Sequence, residues 1–304
     1  MPMIALGHKS PDTDTVVSAI AASYILTKAG FPCEPGMQGE ASAETKFVLS
    51  KFGLQVPEQI TSVAGRELCI VDTANPMELP SDLAEAKIKF IFDHHALKGI
   101  TTLEPFNGFF TTAGCTCTVL VMVARVYNVA IPANIAGAMA LAIVSDTVMF
   151  KSPTTTDYDK HALLELAKTA GIDYEKVGME MLREKSKLTG ETAESLVHRD
   201  YKEFDMNGKK VAIAQLELID ATVADEFVPA IREYLQTHKE ANKFHSVIFF
   251  ITDIMKEGSH LYVYSDSDGK VAEIMGCDLN NNCAWVPGLM SRKKQVVPPL
   301  AEKL

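Results

Sequence analysis

Four short apolar runs along the chain end abruptly in acids and imidazoles. Met3-Ile4-Ala5-Leu6 runs into Gly7-His8 and then Pro11-Asp12-Thr13-Asp14. Leu68-Cys69-Ile70-Val71 runs into Asp72, Phe90-Ile91-Phe92 into Asp93-His94-His95, and Leu141-Ala142-Ile143-Val144 into Ser145-Asp146. Runs that are apolar throughout, rather than alternating, read as strands buried on both faces of a parallel sheet. Ligands of such sheets gather at the carboxyl ends of the strands. The pattern therefore delivers carboxylate and imidazole from distant parts of the chain to one edge.

Between these runs the apolar period lengthens to that of a helix. Val16, Val17, Ala19, Ile20, Ser23, Tyr24 and Leu26 form one stripe over Thr15–Lys28, stopped by Gly30. Further helices are expected over Glu44–Phe52, Thr116–Asn128, Ala133–Ser145 and Asp159–Ala170, and strands over residues 1–7, Leu68–Val71 and Ile88–Phe92. The run before Asp146 fits either a strand or the end of the Ala133–Ser145 helix; in both cases it presents an acid near the others. Strands alternating with helices indicate a parallel sheet with helices on both faces.

The texture then changes. Arg183–Ser195 is almost wholly polar and reads as a linker or as the solvated end of a helix. Beyond it, strands are expected over Lys210–Leu218, Ser246–Ile251, His260–Ser265 and Val271–Met275, with an amphipathic helix over Ala224–Lys239 and a turn at Asp266–Gly269. This predicts a smaller C-terminal α/β domain with a mixed sheet. The expected division is 1–186, a linker over 187–194, and 195–304.

At 304 residues two domains are expected. The net charge of −10 argues against general affinity for nucleic-acid backbone. No leader pattern is read. The longest nearly apolar stretch, 130–144, falls short of the ~20 residues of a membrane helix. A cytoplasmic protein without membrane attachment is expected. The six cysteines form no Cys-x-x-Cys pair, and Cys115 and Cys117 read as buried reduced thiols.

Singly, Asp12 or Asp14 reads as a helix cap, and Asp72 or Asp146 as a turn residue. Three consecutive polar residues behind a buried run, Asp93-His94-His95, are costly to place unless partnered. Jointly, the donors suit a transition metal: carboxylates favour Mn²⁺ or Mg²⁺, imidazoles draw Mn²⁺, Co²⁺ or Zn²⁺, and no thiolate belongs to the set. They are too many for one ion and suit two. Far along the chain, Ser291-Arg292-Lys293-Lys294-Gln295 is a basic run in an acidic protein, between segments that look ordered. It reads either as a solvated tail or as a site for an anionic substrate. No glycine-rich phosphate loop occurs.

Taken together, Gly7-His8-x-x-Pro11-Asp12-x-Asp14, Val71-Asp72, Asp93-His94-His95, Ser145-Asp146-Thr147 and Ser291-Arg292-Lys293-Lys294-Gln295 resemble the DHH phosphoesterase superfamily. Within it, the last run resembles the family II inorganic pyrophosphatases. The resemblance implies a homodimer with its active site at the domain interface. It implies two Mn²⁺ per subunit, with Co²⁺ as a substitute, and Mg²⁺ arriving with pyrophosphate. His8 and Asp12 would hold one ion, Asp14, His94 and Asp146 the other, and Asp72 would bridge. Asp93 would orient the adjacent histidines. His95, Arg292, Lys293 and Lys202, the last in Asp200-Tyr201-Lys202, would hold the substrate's phosphates. The implied reaction is hydrolysis by a water shared between two metals. The alternative within the superfamily is an exopolyphosphatase or a small-nucleotide phosphodiesterase. Against the latter, the Gly-Gly-Gly-His stretch typical of such enzymes is missing.

Overall fold

Each apolar run of the first half forms a strand except the last. The computed structural model describes residues 2–152, 154–186 and 188–304, without the side chains of Lys185 and Lys293. It divides into two compact units, Met1–Lys185 and Ser186–Leu304.

The first unit runs β1 (Met3–Leu6), α1 (Thr13–Lys28), β2 (Cys33–Met37), α2 (Ala43–Lys51), β3 (Glu58–Gln59), β4 (Glu67–Val71), β5 (Lys87–Asp93), β6 (Asn107–Phe110), α3 (Thr116–Val126), α4 (Ala133–Thr147), α5 (Asp157–Ala170) and α6 (Tyr174–Lys185). The six strands are all parallel, in the order β3-β2-β1-β4-β5-β6. The order reverses between β1 and β4, and such a switch point leaves a crevice at the carboxyl ends of the two strands. On one face α1 packs against β1, β2 and β4, and α3 against β5 and β6. On the other, Ile4, Leu6, Leu68, Ile70, Ile88 and Ile91 meet Ile60, Val63 and Leu79, beneath short 3₁₀ turns at Pro76–Glu78 and Leu83–Glu85. Both faces are covered, so the central strands carry apolar residues throughout.

The run before Asp146 is the end of helix α4, not a strand. Its fifteen residues are nearly all buried, and an all-round apolar helix is what a helix packed among α1, α3 and α5 requires.

The second unit runs α7 (Ala193–His198), β7 (Tyr201–Met206), β8 (Lys209–Leu218), α8 (Val228–Ala241), β9 (Ser246–Asp253), β10 (Gly258–Ser265), α9 (Asp268–Met275), β11 (Cys283–Pro287), a π-helical turn (Arg292–Val296) and α10 (Val297–Lys303). The sheet order is β11-β10-β9-β8-β7; β8 and β9 are parallel and the other pairs antiparallel. Alternate residues of β8 and β9 serve the two faces, as a period of two demands. Ala212, Ala214, Leu216, Val247, Phe249 and Ile251 pack with α7 and α8. Val211, Ile213, Ile248 and Phe250 pack with α9, the π-helical turn and α10.

Val271–Met275, expected as a strand, lies in helix α9. Its run is too short for its period to decide the type, and Val271 and Ile274 sit three apart on the core-facing side. Helix α8 starts four residues later than expected, with Pro229 in its first turn. In the stretch read as a linker, Lys187 lies outside the described residues. Leu188 is buried in the second unit's core, and Thr192 and Ser195 form a reciprocal cap on α7. Among the described residues no helix is long and apolar enough to cross a membrane.

Candidate metal centre

Gly7 opens the site because the chain leaves β1 in tight contact with β4. A Cβ on Gly7 would lie 2.5 Å from Thr15 Cγ2 and 3.0 Å from the Val71 carbonyl oxygen. The next residue, His8, lies over the crevice between the strands. Asp12 is the N-cap of α1: its Oδ1 accepts from the Thr15 amide at 2.9 Å. Its Oδ2 lies 3.7 Å from His8 Nε2. The capping role and the candidate ligand role thus use different oxygens of one carboxylate.

Asp72, just past β4, takes a left-handed backbone, φ 59°, a conformation that Asp tolerates better than most residues. Its side chain is buried. Oδ2 lies 3.4 Å from His8 Nε2, and Oδ1 lies 3.4 Å from His94 Nε2. Two hydroxyls fix the carboxylate: Thr15 Oγ1 donates to Oδ2 at 2.5 Å and Thr116 Oγ1 to Oδ1 at 3.0 Å.

His94 pairs its Nδ1 with the Ala113 carbonyl at 2.8 Å, which leaves Nε2 turned to the carboxylates. Asp93 Oδ1 accepts from the His94 and His95 amides and pairs with His95 Nδ1 at 2.9 Å. The other oxygen of Asp93 is buried and has no partner among the described residues. His95 is half exposed.

Asp14 is fully buried. Its Oδ2 accepts from the Thr116 amide at 2.6 Å, and its Oδ1 accepts from the Cys117 amide at 3.1 Å and the Ser18 hydroxyl at 2.9 Å. Asp14 therefore sits on the N-terminus of α3, where free amides and the helix dipole favour a negative charge. Asp146 comes from the last turn of α4. Beside it Ser145 donates to the buried Glu44 at 2.7 Å.

Candidate ligand atoms fall into overlapping groups, each within 4.8 Å: His8, Asp12 and Asp72; Asp14, His94 and Asp146; and Asp72, His94 and His95. A further group joins Asp14 to Cys115 and Cys117. Burial pushes both thiols up, Cys117 to about 12, so they remain protonated.

The electrostatics describe a site crowded with negative charge. Burial and the neighbouring carboxylates of Asp14, Asp12 and Asp72 push Asp146 far up. Burial and the charge of Asp72 raise Asp14 to about 6. Burial alone would depress His8, yet hydrogen bonding to Asp12 and Asp72 lifts it to about 10. His94 rises to about 9 against its burial, through Asp72 and Asp14. Asp72 opposes its own burial and falls below the carboxylate range, held by His8, His94 and Thr15. His95 is raised by its bond to Asp93. Four carboxylates and two ring nitrogens form an oxygen-rich donor set that fits two divalent ions of the manganese type, whose charge would offset the repulsion that protons offset otherwise.

Of the residues expected to hold phosphate, His95 lies in the first unit, and Lys202, Arg292 and Lys293 lie in the second. Lys202 is exposed on β7, opposite Ile213 of β8. Arg292 is largely buried and donates from Nη1 to the Asp200 carbonyl at 2.5 Å and from Nη2 to Asp200 Oδ1 at 2.6 Å. The side chain of Lys293 lies outside the described residues. Gln295 shapes the run by accepting from the Met290 and Ser291 amides and donating to the Gly288 carbonyl.

The DHH family N-terminal domain matches residues 2–143, and the DHHA2 domain matches residues 179–303. A manganese-dependent inorganic pyrophosphatase of Methanocaldococcus jannaschii is 39% identical to this chain, over 97% of each. The chain belongs to this family. A protein of Archaeoglobus fulgidus assigned as a manganese-dependent inorganic pyrophosphatase is 40% identical over 97% of this chain and 96% of its own length. A crystal structure of a Methanococcus jannaschii protein assigned to the family II inorganic pyrophosphatases matches with TM-score 0.61 and 38% identity over 99% of both chains. An exopolyphosphatase-related protein of Bacteroides fragilis shares the fold, with TM-score 0.52 at 13% identity over 97% of this chain and 89% of its own.

Residues that the motifs did not name complete the site. Thr15, Ser18, Thr116 and the Ala113 carbonyl hold the candidate ligands. Asp159, fully buried, accepts from the Gly114 amide and the Thr118 hydroxyl, and so fixes the loop carrying Ala113 to the first turn of α3, where Thr116 stands. A hydroxyl or backbone carbonyl gives no sequence signal of this kind. The closest to one is Thr116, the first residue of its helix.

Proposed function

We propose that the chain hydrolyses inorganic pyrophosphate to two orthophosphates at a site using two manganese ions per subunit. The observation carrying this reading is Asp72, which turns one oxygen toward His8 and the other toward His94, within a cluster of four carboxylates. Membership of the manganese-dependent pyrophosphatase family supports the substrate. His8, Asp12 and Asp72 would hold one ion, and Asp14, His94, Asp146 and Asp72 the other. Manganese held there supplies Lewis-acid activation of water and neutralises charge on a phosphoryl group.

The chain's own residues do the rest. Thr15, Thr116, Ser18 and the Ala113 carbonyl keep the ligand atoms oriented. Asp93 holds the His95 ring by its Nδ1 and raises its affinity for a proton, which favours the cation that a phosphoryl oxygen would meet. Arg292, Lys293 and Lys202 add positive charge where phosphoryl transfer spreads negative charge over the substrate oxygens. A substrate accompanied by Mg²⁺, occupancy by Co²⁺ in place of manganese, a homodimer and a cytoplasmic location complete the reading, on the family resemblance.

The test is orthophosphate release from pyrophosphate by chelator-stripped protein with and without Mn²⁺. Turnover should depend on the added ion. Arg292→Ala should lower Mn²⁺-supported turnover by roughly 10²-fold, the usual scale for a lost charge partner, with bound manganese unchanged. Equal turnover by the stripped and loaded proteins would contradict the reading.

A further inference from the structure

Arg292 does not project freely. Its amide donates to Gln215 Oε1 at 3.1 Å, and its guanidinium makes two bonds to a single residue, Asp200, through the carbonyl and Oδ1. The Gln215 amide donates in turn to the same Asp200 carbonyl at 3.0 Å. Asp200, Gln215 and Arg292 thus close a triangle that joins the start of β7, the middle of β8 and the π-helical turn. Gln215 is anchored independently: its Nε2 lies 3.0 Å from Thr252 Oγ1 and from the Met290 carbonyl.

The triangle also relates Arg292 to Lys202. Lys202 pairs with Ile213, whose side chain joins the cluster beneath Val296 and Leu300. Directly paired residues of a sheet share a face, so Lys202 stands on the face that carries the Arg292 turn. Asp200 is two residues before Lys202.

We propose that Asp200 is a positioning residue: it fixes the guanidinium of Arg292 on the sheet face of Lys202 and sets both cations in register for one doubly phosphorylated anion. The inference rests on the pyrophosphatase reading given above. A guanidinium has five N–H donors; two are held by Asp200, which leaves the others for phosphate oxygens. An arginine on a flexible side chain loses rotamer freedom on gripping an anion, and a fixed carboxylate removes that cost beforehand. The Arg292 side chain is only 10% exposed and that of Asp200 is 51% exposed, so the arginine is held from the solvent side.

A double-mutant cycle over Asp200→Ala and Arg292→Ala, read as kcat and KM for pyrophosphate, tests this, with manganese content and melting temperature measured for each variant. Asp200→Ala should lower kcat by about tenfold or more, the scale of misplacing a contact by a fraction of an ångström to one ångström. Manganese content should not change. In the Arg292→Ala background the same substitution should add nothing. Asp200→Asn, which keeps an acceptor at Oδ1, should restore most of the lost kcat. If Asp200→Ala does not fold, Asp200→Glu replaces it: the acceptor moves by one methylene, and kcat should fall at an unchanged melting temperature. Additive effects of the two Ala substitutions overturn the positioning role, as does full kcat in Asp200→Ala or Asp200→Glu. A fully active Arg292→Ala would instead remove Arg292 from the site, a separate failure.

Discussion

The backbone amide of Thr116 lies 2.6 Å from Asp14 Oδ2, and the hydroxyl of the same residue lies 3.0 Å from Asp72 Oδ1. One residue at the start of α3 therefore fixes carboxylates assigned to both ions. Thr116→Val keeps the amide and the shape but removes the hydroxyl. It should weaken manganese binding by about tenfold or more, the lower end of the effect of losing an outer partner. Titration of stripped protein with Mn²⁺, followed by electron paramagnetic resonance of the free ion, measures this. Unchanged affinity would show that Thr15 alone orients Asp72.

Asp72→Asn tests the shared carboxylate. An amide keeps the size of the side chain but has no charge and only one acceptor oxygen, so it cannot serve His8 and His94 sides equally. The purified variant should keep its far-ultraviolet circular dichroism and lose tightly held manganese from at least one position. Two full equivalents of manganese with normal turnover would take Asp72 out of the site.

Protons and metal compete for the same atoms. In the metal-free protein His8 is raised to about 10 and His94 to about 9, so both imidazoles are charged at neutral pH. A ligand imidazole must be neutral, so manganese binding at pH 7 should release protons. Calorimetric titrations in buffers of different ionisation enthalpy count them. Manganese affinity should climb as pH rises toward 9. The folded metal-free protein binds these protons more tightly than the unfolded chain does. The histidines' contribution is therefore full below about pH 6.5 and fades as pH passes through 9 to 10. Buffer-independent heats would contradict the proton linkage.

The sequence displays the candidate ligands more readily than what supports them. His8, Asp12, Asp14, Asp72 and His94 stand at the ends of strands or the start of a helix, where a change from apolar to polar is easy to see. Asp146 stands out for the same reason, yet its element is ambiguous in the sequence, since a helix buried on all sides and a buried strand have the same composition over a few residues. Strand β6, with Phe110 and Asn107 partly or fully exposed at the sheet edge, left no apolar run to read. Val271–Met275 reads as a strand although it lies in helix α9, because five residues cannot separate a period of two from one of 3.6. Asp200 and Gln215 carry no signal in the sequence, because their contacts with Arg292 span 92 and 77 residues of chain.

Substrate choice tests the central claim most directly. Pyrophosphate presents several negative charges on two adjacent phosphoryl groups, whereas a phosphodiester carries about one per phosphate. The measurement is kcat/KM of the manganese-loaded protein for pyrophosphate beside a cyclic dinucleotide, a short oligonucleotide and a chromogenic phosphodiester. Pyrophosphate should be preferred by at least about 10²-fold, the scale of one transition-state charge partner. A diester cleaved as fast as pyrophosphate would contradict the account.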